Sequence, residues 1–237
     1  MLRRAVMIAF ILGMLLRSPG RDAQAGSVKG ALLQPMLEVL EKANLSGSLE
    51  FTGNCDVVFP PDLPPFRTIT GGGSTLQTLR EMLRDDHAIR VEQDQTGKIR
   101  MVENVIPTDI LNIKIRHISF DGTYASGPES GVYTPNQALY VILHSPELAV
   151  FIKAHDIEIL TTDGGIADAG GQWRRDSPHI SGSLDDVTLS QALDRVLETF
   201  PGIWAYQNCP PKEHRERAVY FRFFYLRNFA SGAIVEG

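Results

Sequence analysis

The chain has 237 residues, a formal net charge of −5 and 22% charged side chains. That length suffices for one large or two small domains. An acidic balance without Lys/Arg clusters excludes nonspecific binding to nucleic acid or to an anionic lipid surface.

Arg3 and Arg4 precede an uncharged run over residues 5–16, and a polar stretch follows that ends in Ala23-Gln24-Ala25. A positive start, a short apolar run and small residues at −3 and −1 mark a secretory signal peptide over residues 1–25. Crossing a bilayer takes about 20 apolar residues, so the run is too short for an anchor and cleavage is expected between Ala25 and Gly26. Cleavage removes Arg3, Arg4, Arg17, Arg21 and Asp22 and moves the net charge from −5 to −8. No later run approaches membrane length, and the alternating strands are too few for a barrel of the chain's own. The expected destination is the periplasm or the extracellular space, with no integral membrane segment after cleavage.

Residues 31–43 place Leu32, Leu33, Met36, Leu37 and Leu40 on one helical face. Residues 47–52 read as a strand, and the Pro-rich run 60–65 as a loop. A short strand is expected over 66–70. Ser74 then caps a helix with Gln77 three residues on, the pattern of a capping box, and Leu76, Leu79, Met82 and Leu83 form its stripe. Strands follow over 88–93 and 98–103, joined by a turn at Gln95-Thr96-Gly97. Residues 109–120 read as a further strand, and 122–131 as a Gly/Ser-rich break.

Thr134, Pro135 and Gln137 open the next helix, with a cap, proline at N1 and glutamine at N3. Strands are expected over 149–153 and 157–161, a Gly-rich loop over 163–171 and another strand over 180–184. Thr188-Leu-Ser-Gln-Ala-Leu-Asp-Arg-Val-Leu197 then repeats the spacing of Ser74-Thr-Leu-Gln-Thr-Leu-Arg-Glu-Met-Leu83 at an offset of 114. Strands over 203–207 and 218–226 complete the series. The order α-β-β-α-β-β thus occurs twice. The expected class is α+β, with two tandem modules over 26–121 and 134–237 that arise by duplication and are separated by a break over 122–133.

Two cysteines, Cys55 and Cys209, each follow an expected strand, and an oxidising compartment permits a disulfide between them. The six histidines show no metal-ligand spacing, so no metal or cofactor is expected. Gly71-Gly72-Gly73 lacks the Lys-Ser/Thr of a phosphate loop and serves to release the chain into the helix cap. Asp85-Asp86 and Asp185-Asp186 read as turn and cap chemistry rather than as an acid/base pair, and no catalytic residue is singled out. Tyr220, Phe221, Phe223 and Tyr225 concentrate aromatic side chains in the last strand. They suit a sheet core, or an edge strand that recruits a partner by strand addition.

The segment 68–103 resembles the short N-terminal domain shared by secretins and TonB-dependent transducers. The resemblance rests on Ser74-x-Leu76-x-x-Leu79-x-x-Met82-Leu83, on Ile89-Arg-Val91 and on Gly97-Lys-Ile99-Arg-Met-Val102; Val187-Thr-Leu-Ser-Gln-Ala-Leu193 onward resembles it again. In that family the domain is a non-enzymatic signalling or assembly module at the front of a larger outer-membrane protein; here no barrel or secretin core is expected after it. The resemblance implies an envelope protein partner. The other reading is an exported enzyme with its site at the interface of the two modules.

Overall fold

The computed structural model describes residues 36–53, 73–83, 88–121, 129–160, 175–211 and 216–225. Helices begin where a side chain takes one of the orphan backbone donors of the first turn. Helix α1 covers residues 36–43. Helix α2 (Thr75–Met82) opens at Ser74, whose Oγ accepts from Gln77 N at 3.3 Å. Helix α3 (Pro135–Leu143) opens at Thr134, whose hydroxyl accepts from Gln137 N at 3.1 Å. Helix α4 (Pro146–His155) follows Ser145 and ends at Asp156 in a left-handed conformation, φ 52°. Helix α5 (Leu189–Thr199) carries the full capping box: Thr188 Oγ1 accepts from Gln191 N, and Gln191 Oε1 accepts from Thr188 N.

The strands are β1 (Gly47–Thr52), β2 (Ile89–Gln93), β3 (Ile99–Glu103), β4 (Lys114–Ser119), β5 (Ile157–Leu160), β6 (Ser183–Thr188), β7 (Gly202–Cys209) and β8 (Arg217–Tyr225). Six form one mixed sheet in the order β2-β3-β1-β7-β8-β5, and β4 pairs antiparallel with β6. The chain is an α+β protein.

The large sheet divides into two sets of three strands. In β2-β3-β1, an antiparallel hairpin is joined to an earlier strand parallel to the hairpin's second arm. In β7-β8-β5 the same description holds, with β5 parallel to β8. The sets meet where β1 runs parallel to β7, from Gly47↔Ile203 to Thr52↔Asn208. With β1, β3 and β7 pointing one way, β2, β8 and β5 point the other. The second set is therefore the first turned over about an axis in the sheet, across the strands.

Turning over also exchanges faces, and the cores confirm it. Helices α1 and α2 pack Met36, Leu40, Leu79 and Leu83 against Leu49, Phe51, Val91, Ile99 and Met101 on one face. On the other face, α3 and α5 pack Ala138, Ile142, Leu189, Leu193 and Val196 against Trp204, Tyr206, Val219 and Phe221. Helices α3 and α5 lie between β7–β8 and the pair β4–β6. Where the two sets meet, Gly47 lies so close to β3 that a Cβ there would run into the carbonyl oxygen of Ile99.

Several expectations are corrected. Residues 149–153 are helical and belong to α4, because Ser145-Pro146-Glu147 starts a helix before the apolar run begins. Residues 109–120 split into a 3-10 turn, Ile110–Asn112, and β4. The strand expected over 180–184 starts at Ser183 and extends to Thr188, with Ile180 bridging to Val132. Apart from these corrections, two pairings join residues before 122 to residues after 133: β4 with β6, and β1 with β7. The strand over 66–70 and the loops over 60–65 and 163–171 lie outside the described residues.

Leu193 is fully buried in the face that α5 turns to the sheet. Leu193→Ala should lower the unfolding free energy by about 2–5 kcal/mol, read from the midpoint of a denaturant titration at unchanged slope.

Candidate functional site

Strand alternation puts a polar row on the α5 side of the junction. Ile99 and Met101 of β3 are buried against α1 and α2, which sends Arg100 to the opposite face. On β1, Leu49 and Phe51 point likewise to the α2 side, so Ser48 and Glu50 point with Arg100. The register aligns Arg100, Ser48 and Trp204 across β3, β1 and β7, and next to them Val102, Glu50 and Tyr206.

Arg100 is the hub of this row. Its Nη2 bonds Asp94 Oδ2 at 3.0 Å and also reaches Asp194 Oδ2 on α5, while its Nε donates to Asp94 Oδ2 at 3.2 Å. Asp94 is preset by the β2–β3 turn. Its Oδ1 accepts from Thr96 N at 2.9 Å, from Thr96 Oγ1 at 2.6 Å and from Lys98 N at 3.0 Å, with Gly97 at φ 86°. Asp194 in turn accepts from Trp204 Nε1 at 2.8 Å, and the Arg100 guanidinium lies 5.5 Å from the centre of the Trp204 ring. Lys98 donates to the Asp194 carbonyl and pairs with Glu198 at 3.7 Å. One arginine therefore links the β2–β3 hairpin of the first half to α5 and β7 of the second.

The electrostatics follow from this sharing. Burial pulls the Arg100 guanidinium down, but the hydrogen bond and charge of Asp194, with those of Asp94, outweigh it and leave its proton affinity raised. Burial pushes the Asp94 carboxyl up, yet the bonds from Thr96 and Lys98 and the charge of Arg100 hold it below the ordinary value. Glu50 is different. It is 7% exposed, and its removal from water raises its carboxyl above 4.5, against the opposing hydrogen bond from Ser48 Oγ at 3.0 Å and the charge of Arg100.

A second cluster fastens the segment before β4. Arg217 of β8 makes a two-pronged bond to Asp109, at 2.6 and 2.7 Å. Its Nη2 donates to Tyr206 Oη at 3.3 Å and its Nε to Asn208 Oδ1 at 2.9 Å. Tyr206 Oη donates onward to the Pro107 carbonyl at 2.9 Å. Burial pushes the Tyr206 phenol up to about 12. The Arg217 bond holds Asp109 below the ordinary carboxylate value. These groups are matched donor to acceptor, which is the pattern of a structural clamp.

Of the residues singled out in the sequence, Tyr220, Phe221 and Phe223 are buried at 5%, 3% and 5% exposure. Strand β8 pairs with β7 along its length and with β5 over Arg217–Tyr220, so Tyr220 has a neighbouring strand on each side. Tyr225 is the last backbone position of β8, paired with Gly202. Cys209 ends β7 and is fully buried. Ala25, Gly26, Cys55, Asp85 and Asp86 lie outside the described residues. Asp185 sits in β6 and faces His117 of β4 at 2.7 Å, while Asp186 takes a left-handed φ of 52°. Among the described residues no three His, Cys, Asp or Glu side chains are placed to hold a metal ion, and no helix is long and apolar enough to cross a membrane.

Sequence reading missed the Arg100 hub. Its signal was an arginine between Ile99 and Met101 in a strand, and a Trp204 indole that must find an acceptor once buried. Compared with known family models, curated proteins and solved structures, the chain shows no match.

Asp109 has a depressed carboxyl, so its contribution to stability is present above the ordinary value of 3.8 and is lost as pH falls through the folded-state value. Asp109→Asn should therefore lower the melting temperature at neutral pH and flatten the acid limb of its pH dependence, measured by thermal denaturation at stepped pH.

Proposed function

We propose that the chain is an exported, non-enzymatic interaction protein of the cell envelope, built from two copies of one small αβ unit related to the short N-terminal domain of secretins and TonB-dependent transducers. The observation that carries this reading is the equivalence of β2-β3-β1 and β7-β8-β5, each fed by a capped helix, α2 or α5, that stands in the same place before its hairpin. The motifs on which the resemblance rests supply those helices and hairpins. The signal peptide features of residues 1–25 support export.

Photo-crosslinking in intact cells tests the reading, with the probe at Tyr140 or Val150, which are 46% and 69% exposed. A discrete adduct with an envelope protein, on a chain whose mass begins at Gly26, is the expected result. A chain that begins at Met1 and stays in the cytoplasm would overturn it. The enzyme reading draws on Glu50, a buried carboxyl at the junction whose proton affinity burial raises. Glu50→Gln should leave the adduct intact if the protein is a binding module.

The export reading brings with it a Cys55–Cys209 disulfide. Its support is the register: Thr52 stands beside Asn208, and Gly53 N donates to Asn208 O at 3.0 Å, so the chain leaves β1 alongside Cys209. A bridge closing a loop of about 150 residues stabilises by roughly 4–5 kcal/mol in the chain-entropy model. Native oxidised protein should yield no thiol to Ellman's reagent, and Cys209→Ala should lower the unfolding midpoint.

A further inference from the structure

Among the described residues, the seam between the halves holds a buried carboxyl, Glu50, to which no opposite charge is dedicated. Glu50 sits on β1 in the row Val102–Glu50–Tyr206, between an aliphatic side chain and an aromatic one. The charged and titratable groups around it come from four elements: Arg90 and Glu92 on β2, Arg100 on β3, Asp194 on α5 and Tyr206 on β7; Ser48 of its own strand adds a hydrogen bond. Arg90 and Glu92 are exposed at the outer strand. Arg100 is the cation within electrostatic reach, and it is already bonded to both Asp94 and Asp194.

We propose that the Glu50 carboxyl is a proton-operated latch on the β1–β7 seam, closing it when neutral and loosening it when ionised. The neutral acid packs in its buried row without needing a counter-charge, and burial outweighs the Ser48 Oγ bond, which favours the anion. The anion must compete with Asp94 and Asp194 for Arg100, and lies near the negative charge of Asp194 and Glu92. Burial already raises the carboxyl. A raised acid stabilises the fold below its unfolded value and loses that contribution as pH climbs through the folded one. The window therefore opens above 4.5. Asp94 and Asp109 are shifted the opposite way, below the ordinary carboxylate value. The inference needs the seam alone and does not depend on the export reading.

The test is hydrogen exchange on the purified chain between about pH 5 and about pH 8, corrected for the intrinsic exchange rate. The backbone amides of β1 and β7 should lose protection with rising pH, by up to about tenfold per pH unit, the limit for one linked proton. In Glu50→Gln, an isostere that stays neutral, that slope should vanish. An unchanged slope in the variant, or protection that rises with pH in the parent, overturns the latch. Carbon-13 NMR of the Glu50 carboxyl in the unmodified chain gives a measurement independent of the variant: an inflection above 4.5 is expected, and an inflection at or below that value refutes the proposal.

Discussion

The parallel pairing of β1 with β7 is the constraint on which the rest depends. Without it there are two three-stranded sheets, each with helices on one face and an unpaired strand at its border. With it there is one six-stranded sheet whose two faces are each covered over half their width. The bond from Gly202 N to Ser46 Oγ at 3.2 Å ties the two strands together at the start of that pairing.

The inverted arrangement explains why the polar residues collect where they do. On the α5 side, the helices α1 and α2 do not lie over β3 and β1, and among the described residues Arg100 there reaches across to Asp194 of α5. Charged residues are the ones that can occupy a half-covered sheet face, provided each finds a partner. Arg100 meets that demand by engaging carboxylates from its own hairpin and from α5. Asp109 and Arg217 meet it at the other end of β7. Both links join segments far apart in sequence, so they fix the relation between halves that the backbone pairing sets up. Ion pairs of this kind add little net stability, because desolvation offsets attraction, but removing one partner strands the other.

Local features were legible in the sequence because they are local. Ser74, Thr134 and Thr188 each announce a helix with a hydroxyl and a glutamine three residues later, and the hairpin of β2 and β3 is written in Asp94, Thr96 and Gly97. The apolar run within 149–153 was misread because periodicity in a short buried segment does not separate strand from helix; the Ser-Pro-Glu start before it was the deciding signal. The placing of β8 could not be read at all. Aromatic richness says that a strand is buried or sticky, but which strands lie beside it depends on pairings made across the fold. The same holds for Arg100, whose partner lies 94 positions away.

Strand β1 waits a long time for its neighbour. The ribosome delivers Gly47–Thr52 before Ile203–Asn208 exists, and the partners are 156 positions apart. Contacts so distant slow the search for the native topology, since loop closure must be completed before they repay it. Through that interval one border of β1, including Leu49 and Phe51, has no β7 to cover its backbone. Ordering of the first half is thus coupled to the end of synthesis. A chain stopped before residue 202 would present a bare strand edge, the element that a chaperone holds or that seeds aggregation.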